Sequence, residues 1–304
     1  MEKVTRKEFF GVVTSMVVGG VLGRSLSVCA IPERSESDSS DLLLKNLTPR
    51  GILFDATRCI GCLACVKLCK EEHNLPPDIE FKLSARSLTV VQKKSDYFMR
   101  RLCMHCVVPS CVSVCPVGAL VKLDYGAVIW RESRCIGCRY CMMACPFRVP
   151  TYEWWNRNPR VVKCDMCQHR LREGKEVACA WVCPLGATAF GARDDLLREA
   201  RRRIRGRPDT YLDHIYGERE AGGTSTLFLL PKLAVDSGLP DNIGDEPFPN
   251  LTWQVMRKIP YIVGTGAVLL GGLWWIINKR MEIDEMMGQE EKLTSSDDDQ
   301  RQGM

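Results

Sequence analysis

Two uninterrupted apolar stretches bracket a chain whose middle changes character every few residues. At the front, Lys3, Arg6 and Lys7 precede an apolar stretch from Phe9 to Gly23, which leads to Arg24 and the small residues around Val28, Cys29 and Ala30. This basic, apolar, then small-residue layout is that of an export signal over residues 1–30, and the apolar part is short for a membrane span. At the back, no charged side chain occurs between Ile259 and Ile277; Arg257 and Lys258 flank one end, Lys279 and Arg280 the other, and Trp274 and Trp275 lie near the second end. At 1.5 Å per residue these positions reach roughly 28 Å, close to the thickness of the hydrocarbon core, which predicts a transmembrane helix over residues 257–280. The stretch is nearly uniform rather than amphipathic, so it does not read as a helix packed on a soluble core. It contains no His, Asp or Glu, so by itself it offers no haem ligand and no proton relay.

Between these ends the pattern is short and repetitive. Apolar runs at Gly51–Asp55, Gly118–Leu123, Ala127–Trp130 and Gly186–Gly191 predict strands. Helices are expected to begin inside neighbouring loops, over Cys65–Leu75 and Cys141–Cys145. Small strands and helices in repeated order predict an α+β fold for residues 51–230, preceded by a Ser-rich, acidic linker over 31–50 and followed by a linker over 231–256. The tail at 281–304 is acidic and poor in apolar residues after Gly288 and is expected to be disordered.

Composition alters this picture in one respect. A net charge of +5, 45% hydrophobic residues and 304 positions are ordinary for a chain of one or two domains. Seventeen cysteines are not. Sixteen fall into four groups: Cys59, Cys62, Cys65 and Cys69; Cys103, Cys106, Cys111 and Cys115; Cys135, Cys138, Cys141 and Cys145; Cys164, Cys167, Cys179 and Cys183. Cys29 stands apart, within the export signal. A cubane cluster needs four thiolates around its irons, and a C-x-x-C-x-x-C loop supplies three from one wrap of backbone, while the fourth cysteine ligates the neighbouring cluster. Four [4Fe-4S] clusters are therefore expected. Disulfide frameworks rarely repeat this spacing, and two residues make a strained closure. Structural zinc sites take two C-x-x-C pairs, not runs of four cysteines, so a zinc or structural cysteine-rich protein is the weaker reading. Proline after Cys115, Cys145 and Cys183 is that of bacterial ferredoxin runs, whereas Lys70 follows Cys69.

The crossing rule assigns partners. Cys135, Cys138 and Cys141 pair with Cys115, and Cys103, Cys106 and Cys111 with Cys145. Cys59, Cys62 and Cys65 pair with Cys183, and Cys164, Cys167 and Cys179 with Cys69. This nests one ferredoxin-like two-cluster unit inside another. The loops Cys106–Cys111 and Cys167–Cys179 are wider than the rule requires.

Other features are less specific. Arg198, Arg201, Arg202, Arg203, Arg205 and Arg207 form a basic run, but Asp194, Asp195 and Glu199 are interleaved, which fits a solvated or partner-docking helix face better than nucleic-acid binding. His73, His105, His169 and His214 show no metal spacing with each other; His105 lies inside a cysteine loop, where a hydrogen bond tunes a cluster's potential. No phosphate loop, G-x-G-x-x-G or Ser/His/Asp triad is suggested, and no catalytic residue is assigned.

At these cysteines the chain resembles the four-cluster electron-transfer subunits of membrane respiratory oxidoreductases. Cys138-Arg-Tyr-Cys141-Met-Met-Ala-Cys145-Pro146, Gly186-Ala-Thr-Ala-Phe-Gly191 and His214-Ile-Tyr-Gly217 are similar to the iron–sulfur subunit of periplasmic membrane-bound [NiFe] hydrogenases, the HybA type. Thr5-Arg6-Lys7-Glu8-Phe9-Phe10 resembles a twin-arginine export motif with lysine in the second arginine place. The resemblance implies a non-catalytic subunit passing electrons between hydrogenase small and large subunits and an integral membrane quinone-reactive subunit. The beta subunit of formate dehydrogenase, or of another molybdopterin oxidoreductase, is the alternative. It also implies a single-pass protein of the inner membrane, anchored in the lipid bilayer, with its cluster domain on the periplasmic side.

Overall fold

The computed structural model describes residues 48–156, 159–234 and 236–301. The export signal, Cys29 and most of the 31–50 linker lie outside the described residues.

The organising element is a four-stranded sheet assembled from distant parts of the chain. In sequence order its strands are β1 (Arg50–Asp55), β8 (Thr188–Ala192), β9 (Tyr211–Tyr216) and β10 (Thr226–Pro231). Their spatial order is β8-β1-β10-β9. β1 runs parallel to β10, pairing Ile52 with Thr226 and Phe54 with Phe228, and antiparallel to β8, pairing Ile52 with Phe190.

Side-chain alternation gives the sheet two apolar faces. Leu53, Leu227, Leu229, Tyr211 and Ile215 meet Leu196, Leu197, Ala200 and Ile204 of the helix at Arg193–Gly206. Buried Asp55 anchors that helix: its carboxylate accepts from Arg203 at 3.0 Å and from the Tyr211 hydroxyl at 2.9 Å. The other arginines of the basic run face solvent. Arg198 pairs with Asp195, Arg201 with Glu218 and Arg202 with Glu199, which is a solvated helix face rather than an unopposed cationic patch. On the opposite face of the sheet, Ile52, Phe54, Phe228, Leu230 and Tyr216 pack against a core that includes Cys69, Cys103, Cys164, Cys167 and Cys179.

Three hairpins complete the domain: β2 (Val90–Lys93) with β3 (Phe98–Arg101), β4 (Leu120–Lys122) with β5 (Val128–Trp130), and β6 (Thr151–Tyr152) with β7 (Val161–Val162). Between them sit short helices: α1 (Ala64–Glu72), α2 (Ser110–Ser113), α3 (Tyr140–Ala144), α4 (Gln168–Arg172) and α5 (Ala178–Trp181). α6 is the Arg193–Gly206 helix. The expected strands and both expected helices are present within a few residues of their expected bounds. Length follows the residue after the fourth cysteine of a group. Proline follows Cys115, Cys145 and Cys183, and the helices before them are four, five and four residues long. Lys70 follows Cys69, so α1 continues through it for nine residues, because lysine keeps the N–H and the φ freedom that proline removes. Lys70 is itself buried, with Nζ donating to the Arg86 carbonyl at 2.6 Å.

Gly126, in the β4–β5 turn, fixes the inner hairpin against β1. Its φ is +105°, and a Cβ there would lie 2.6 Å from the Arg50 carbonyl oxygen. Arg50 N–H donates to the Tyr125 carbonyl at 2.8 Å across the same junction. Gly126→Ala is expected to cost about 2 kcal/mol or more, from the left-handed backbone plus a contact that backbone cannot relieve. A fall in the urea midpoint followed by far-UV circular dichroism would show it; an unchanged midpoint would mean the junction yields freely.

Two stretches differ from expectation. The 231–256 linker contains a helix, α7 (Phe248–Met256), which starts with Pro249 in its first turn, where a missing N–H costs nothing. The last helix, α8, runs Ile259–Arg301, through most of the expected disordered tail. Met281 to Lys292 is rich in Met, Glu and Lys, strong helix formers that propagate an established helix despite their polarity.

Candidate metal centres

Each cysteine group begins with the same backbone device. The residue just before the second cysteine has positive φ in all four loops: Gly61 at +71°, His105 at +48°, Gly137 at +70° and Met166 at +62°. Glycine adopts this conformation freely; His105 and Met166 do so at a cost of roughly 1 kcal/mol, sustained by their burial in the surrounding structure. The turn wraps each loop so that its cysteines converge. Helices α1, α3 and α4 then start directly from left-handed Leu63, Arg139 and Cys167.

None of the sixteen cysteines forms a disulfide. They gather in four sets. Cys59, Cys62, Cys65 and Cys183 line one cavity of about 380 Å³, walled by Phe54 and Val91. Cys115, Cys135, Cys138 and Cys141 line a second of about 300 Å³, walled by Trp130, Tyr152 and Val161. In a third set, the sulfurs acting most strongly on Cys106 are Cys103, Cys145 and Cys111. In a fourth, Cys167 is next to Cys179 and Cys69, and Cys164 to Cys167 and Cys69. Each set joins cysteines from two groups. The sets also neighbour one another in a row. Cys65 feels Cys179, Cys164 feels Cys103, and Cys111 feels Cys141. Only the end sets carry an exposed cysteine, Cys62 at one end and Cys138 at the other.

The donor chemistry fits a cationic metal core. Burial first, then mutual repulsion among sulfurs, raises the thiols: Cys65 is pushed up to about 11 and Cys111 to about 12. Crowded, buried thiols of this kind become thiolates only when a metal replaces their protons. Cys115 goes the other way. Although desolvation opposes it, N–H groups of residues 117–120 stabilise its thiolate, Ala119 N–H donating at 3.2 Å, and hold it below the usual thiol range. Tyr152 places its hydroxyl 3.1 Å from Cys141 Sγ.

His105 is the sharpest indication of an acceptor other than protein. It is fully buried, and Val128 N–H donates to its Nδ1 at 2.9 Å, so the ring proton resides on Nε2. That Nε2–H has no acceptor among the described residues, a state natural proteins avoid unless something else accepts the bond.

The structure also brings together groups that sequence reasoning missed. His73 Nδ1–H donates to the Cys69 carbonyl at 2.9 Å and Nε2–H to Asp165 at 2.9 Å; Asp165 also accepts from Cys167 N–H. Desolvation works against charging this imidazole, yet Asp165 and Cys69 outweigh it and push it up to about 11. The His73–Asp165 pair therefore ties the end of α1 to the Cys164–Cys167 loop. Asp165 inside C-D-M-C was the available signal. His169 pairs with Glu72 and His214 with Glu220, as packing and surface histidines. Buried Lys163 donates to the carbonyls of Val128 and Cys164, and Lys122 to those of Cys106, His105 and Gly126. Arg100 is wholly buried beside Cys179 and Cys65.

The comparisons with known proteins fall on this region. A 4Fe-4S dicluster domain family matches residues 95–193. The hydrogenase-2 operon protein HybA of Escherichia coli is 37% identical over 226 residues, covering 59% of this chain and 69% of that protein. The chain belongs to the iron–sulfur electron-transfer subunits of respiratory oxidoreductases. Two further relatives place this HybA-like subunit among them. The B subunit of the anaerobic dimethyl sulfoxide reductase of Escherichia coli is 37% identical over 161 residues, 50% of this chain and 78% of the relative. The iron–sulfur subunit of its nitrate-inducible formate dehydrogenase is 33% identical over 198 residues, 59% and 67% respectively. A HybA-like subunit holds [4Fe-4S] clusters, which sets aside the zinc reading. The same subunit carries, from α7 into α8, a stretch at Phe248–Met287 that is apolar and long enough to cross a membrane, none of whose most apolar window is buried in the protein.

Proposed function

We propose that this chain is the electron wire between a periplasmic [NiFe] hydrogenase and a quinone-reactive subunit in the membrane, through four [4Fe-4S] clusters. The observation that carries the reading is the gathering of sixteen cysteines into four sets that neighbour one another in a single row, with an exposed cysteine at each end. The ligand sets are Cys59, Cys62, Cys65 and Cys183; Cys69, Cys164, Cys167 and Cys179; Cys103, Cys106, Cys111 and Cys145; and Cys115, Cys135, Cys138 and Cys141. The second ferredoxin-like unit is thus nested inside the first, with the four-stranded sheet closing the outer one. When bound, each cluster accepts and returns one electron. The protein holds the sulfurs, excludes water from the two inner sets, and offers N–H donors such as those around Cys115. The Cys62 and Cys138 ends are where electrons enter and leave. The HybA relative, whose name ties it to a hydrogenase operon, favours hydrogenase as the catalytic partner. The apolar helix serves as the anchor, and the twin-arginine-like signal supports a periplasmic position for the cluster domain.

The test is anaerobic purification of the detergent-solubilised full chain. About sixteen iron and as much acid-labile sulfide per chain are expected, at four of each per cluster, together with a co-purifying nickel–iron subunit. A molybdopterin subunit in its place would move the assignment to the formate dehydrogenase type. About eight iron, two clusters' worth, would refute the four-cluster count.

A further inference from the structure

Among the described residues, Arg100 is a buried cation answered by sulfur and by no carboxylate. It lies in β3 with 1% of its surface exposed. Its Nε donates to Thr89 Oγ1 at 2.9 Å and its Nη1 to Thr188 Oγ1 at 3.1 Å, two neutral hydroxyls that fix the plane of the guanidinium. Its charge acts most strongly on cysteine sulfur, at Cys179 and Cys65 and at Cys59 as well, and Thr188, which holds it, lines the cavity of Cys59, Cys62, Cys65 and Cys183. Among the described residues no carboxylate pairs with it. By contrast, Asp55 answers Arg203, and Glu72 answers Arg170. A desolvated guanidinium with no counter-ion is strongly unfavourable. Here the missing negative charge is supplied by thiolates from two different sets, Cys65 from one and Cys179 from the other. Lys122 and Lys163, by comparison, spend their N–H donors on backbone carbonyls, Lys122 on those of His105, Cys106 and Gly126 and Lys163 on those of Val128 and Cys164.

We propose, resting on the cluster assignment above, that Arg100 is a fixed positive charge shared by the clusters at Cys59/Cys62/Cys65/Cys183 and Cys69/Cys164/Cys167/Cys179, and that it favours their one-electron reduction. Four thiolates around a cubane core leave about two negative charges, and reduction adds one more. A permanent cation beside these sulfurs stabilises the reduced form more than the oxidised form, most of all inside a water-poor core. The effect is larger at the Cys179 set, whose Cys179 is the sulfur the guanidinium acts on most strongly, than at the Cys65 set. The electron comes from the catalytic partner subunit. No proton accompanies it on Arg100, because an arginine stays charged throughout the accessible pH range, so this contribution is independent of pH. Placed between two adjacent sites, the charge keeps both within reach of the same electron instead of letting reduction of one shut off the other.

Redox titrations of the detergent-solubilised full chain, followed by EPR, test this. In Arg100→Met with unchanged iron and sulfide, the signal lost in Cys179→Ala is expected to become at least about tenfold harder to reduce, a shift of about 59 mV for one electron. The signal lost in Cys59→Ala should shift in the same direction by less, and the signals of the other two sets should stay in place. Arg100→Lys should restore most of the shift. Fully loaded Arg100→Met protein with all four potentials within about threefold of the parent would overturn the proposal. If Arg100→Met fails to load, ¹⁵N-arginine labelling of the parent protein decides: hyperfine coupling of arginine nitrogen to the Cys179-dependent signal supports the proposal, and no coupling sinks it. A parent protein lacking the two signals would instead fail the cluster assignment itself.

Discussion

Cys69→Ala is expected to remove or convert the same cluster as Cys179→Ala, and not the cluster lost in Cys62→Ala. The iron content of each should fall from about sixteen towards about twelve, and the double variant Cys69→Ala/Cys179→Ala should lose no more than either single one, since both act on one site of four irons. The expectation runs against sequence proximity, because Cys69 is far closer in the chain to Cys62 than to Cys179. It follows from where α1 ends. The helix carries Cys69 away from its own loop and buries it beside Cys164 and Cys167, and His73 at the helix end is clamped to Asp165 of that second loop. Losing Cys69 should therefore also loosen the junction between two distant stretches, visible as faster loss of the remaining iron to a chelator, because metal binding and folding are coupled in such sites. Should the EPR signal missing from Cys69→Ala be the one missing from Cys62→Ala, ligation would be local and the row of sets would have to be redrawn.

Ending the chain after Met256, ahead of α8, is expected to convert the protein from one that sediments with membranes to one that stays in the soluble fraction with its clusters intact. The apolar side chains of α8 from Ile262 to Trp275 find no cover within the protein; Leu269 and Leu270 are exposed, and the window has a mean hydropathy of 1.6. Lipid is the environment that would satisfy so many apolar positions at once. A single charge should suffice to weaken the anchor: Leu269→Arg places a guanidinium near the middle of the stretch, at roughly 3 kcal/mol, or about a hundredfold in membrane partitioning. Carbonate washing of membranes from cells carrying each variant measures it. Truncated protein that resists the wash would show that partner subunits, not this helix, hold the domain to the membrane.

The convergence of Cys59, Cys62 and Cys65, and of Cys135, Cys138 and Cys141, is legible in the sequence because loop closure is local: three thiols within seven residues lie on one wrap of backbone, whereas Cys111 and Cys179 lie beyond such a wrap. The short strands beside those loops are legible for a similar reason, since a glycine or a Cys-Pro step punctuates each. What is not legible depends on pairings between remote segments. Nothing in the run Phe98-Met-Arg-Arg-Leu marks Arg100 as buried, yet it is sealed in by Thr89 and Thr188, from two other parts of the chain. His73 and Asp165 give no sign of each other in sequence. β9 and β10 escape the reading because neither adjoins a cysteine group. The tail reads as disordered from its polarity, whereas its helix propensity and the apolar helix ahead of it extend α8 to Arg301.

The central position of β1 bears on how the molecule is made. Residues 50–55 leave the ribosome early, but both neighbours of this strand, 188–192 and 226–231, are synthesised long afterwards. Nascent chain therefore holds an unpaired apolar strand and an open-ended cysteine loop until translation of the domain is nearly finished. Vectorial folding from the front is ruled out by connectivity, and such remote pairing makes for slow closure. The inner hairpins can mature first, while the outer layer closes only once the last strand, 226–231, has been made.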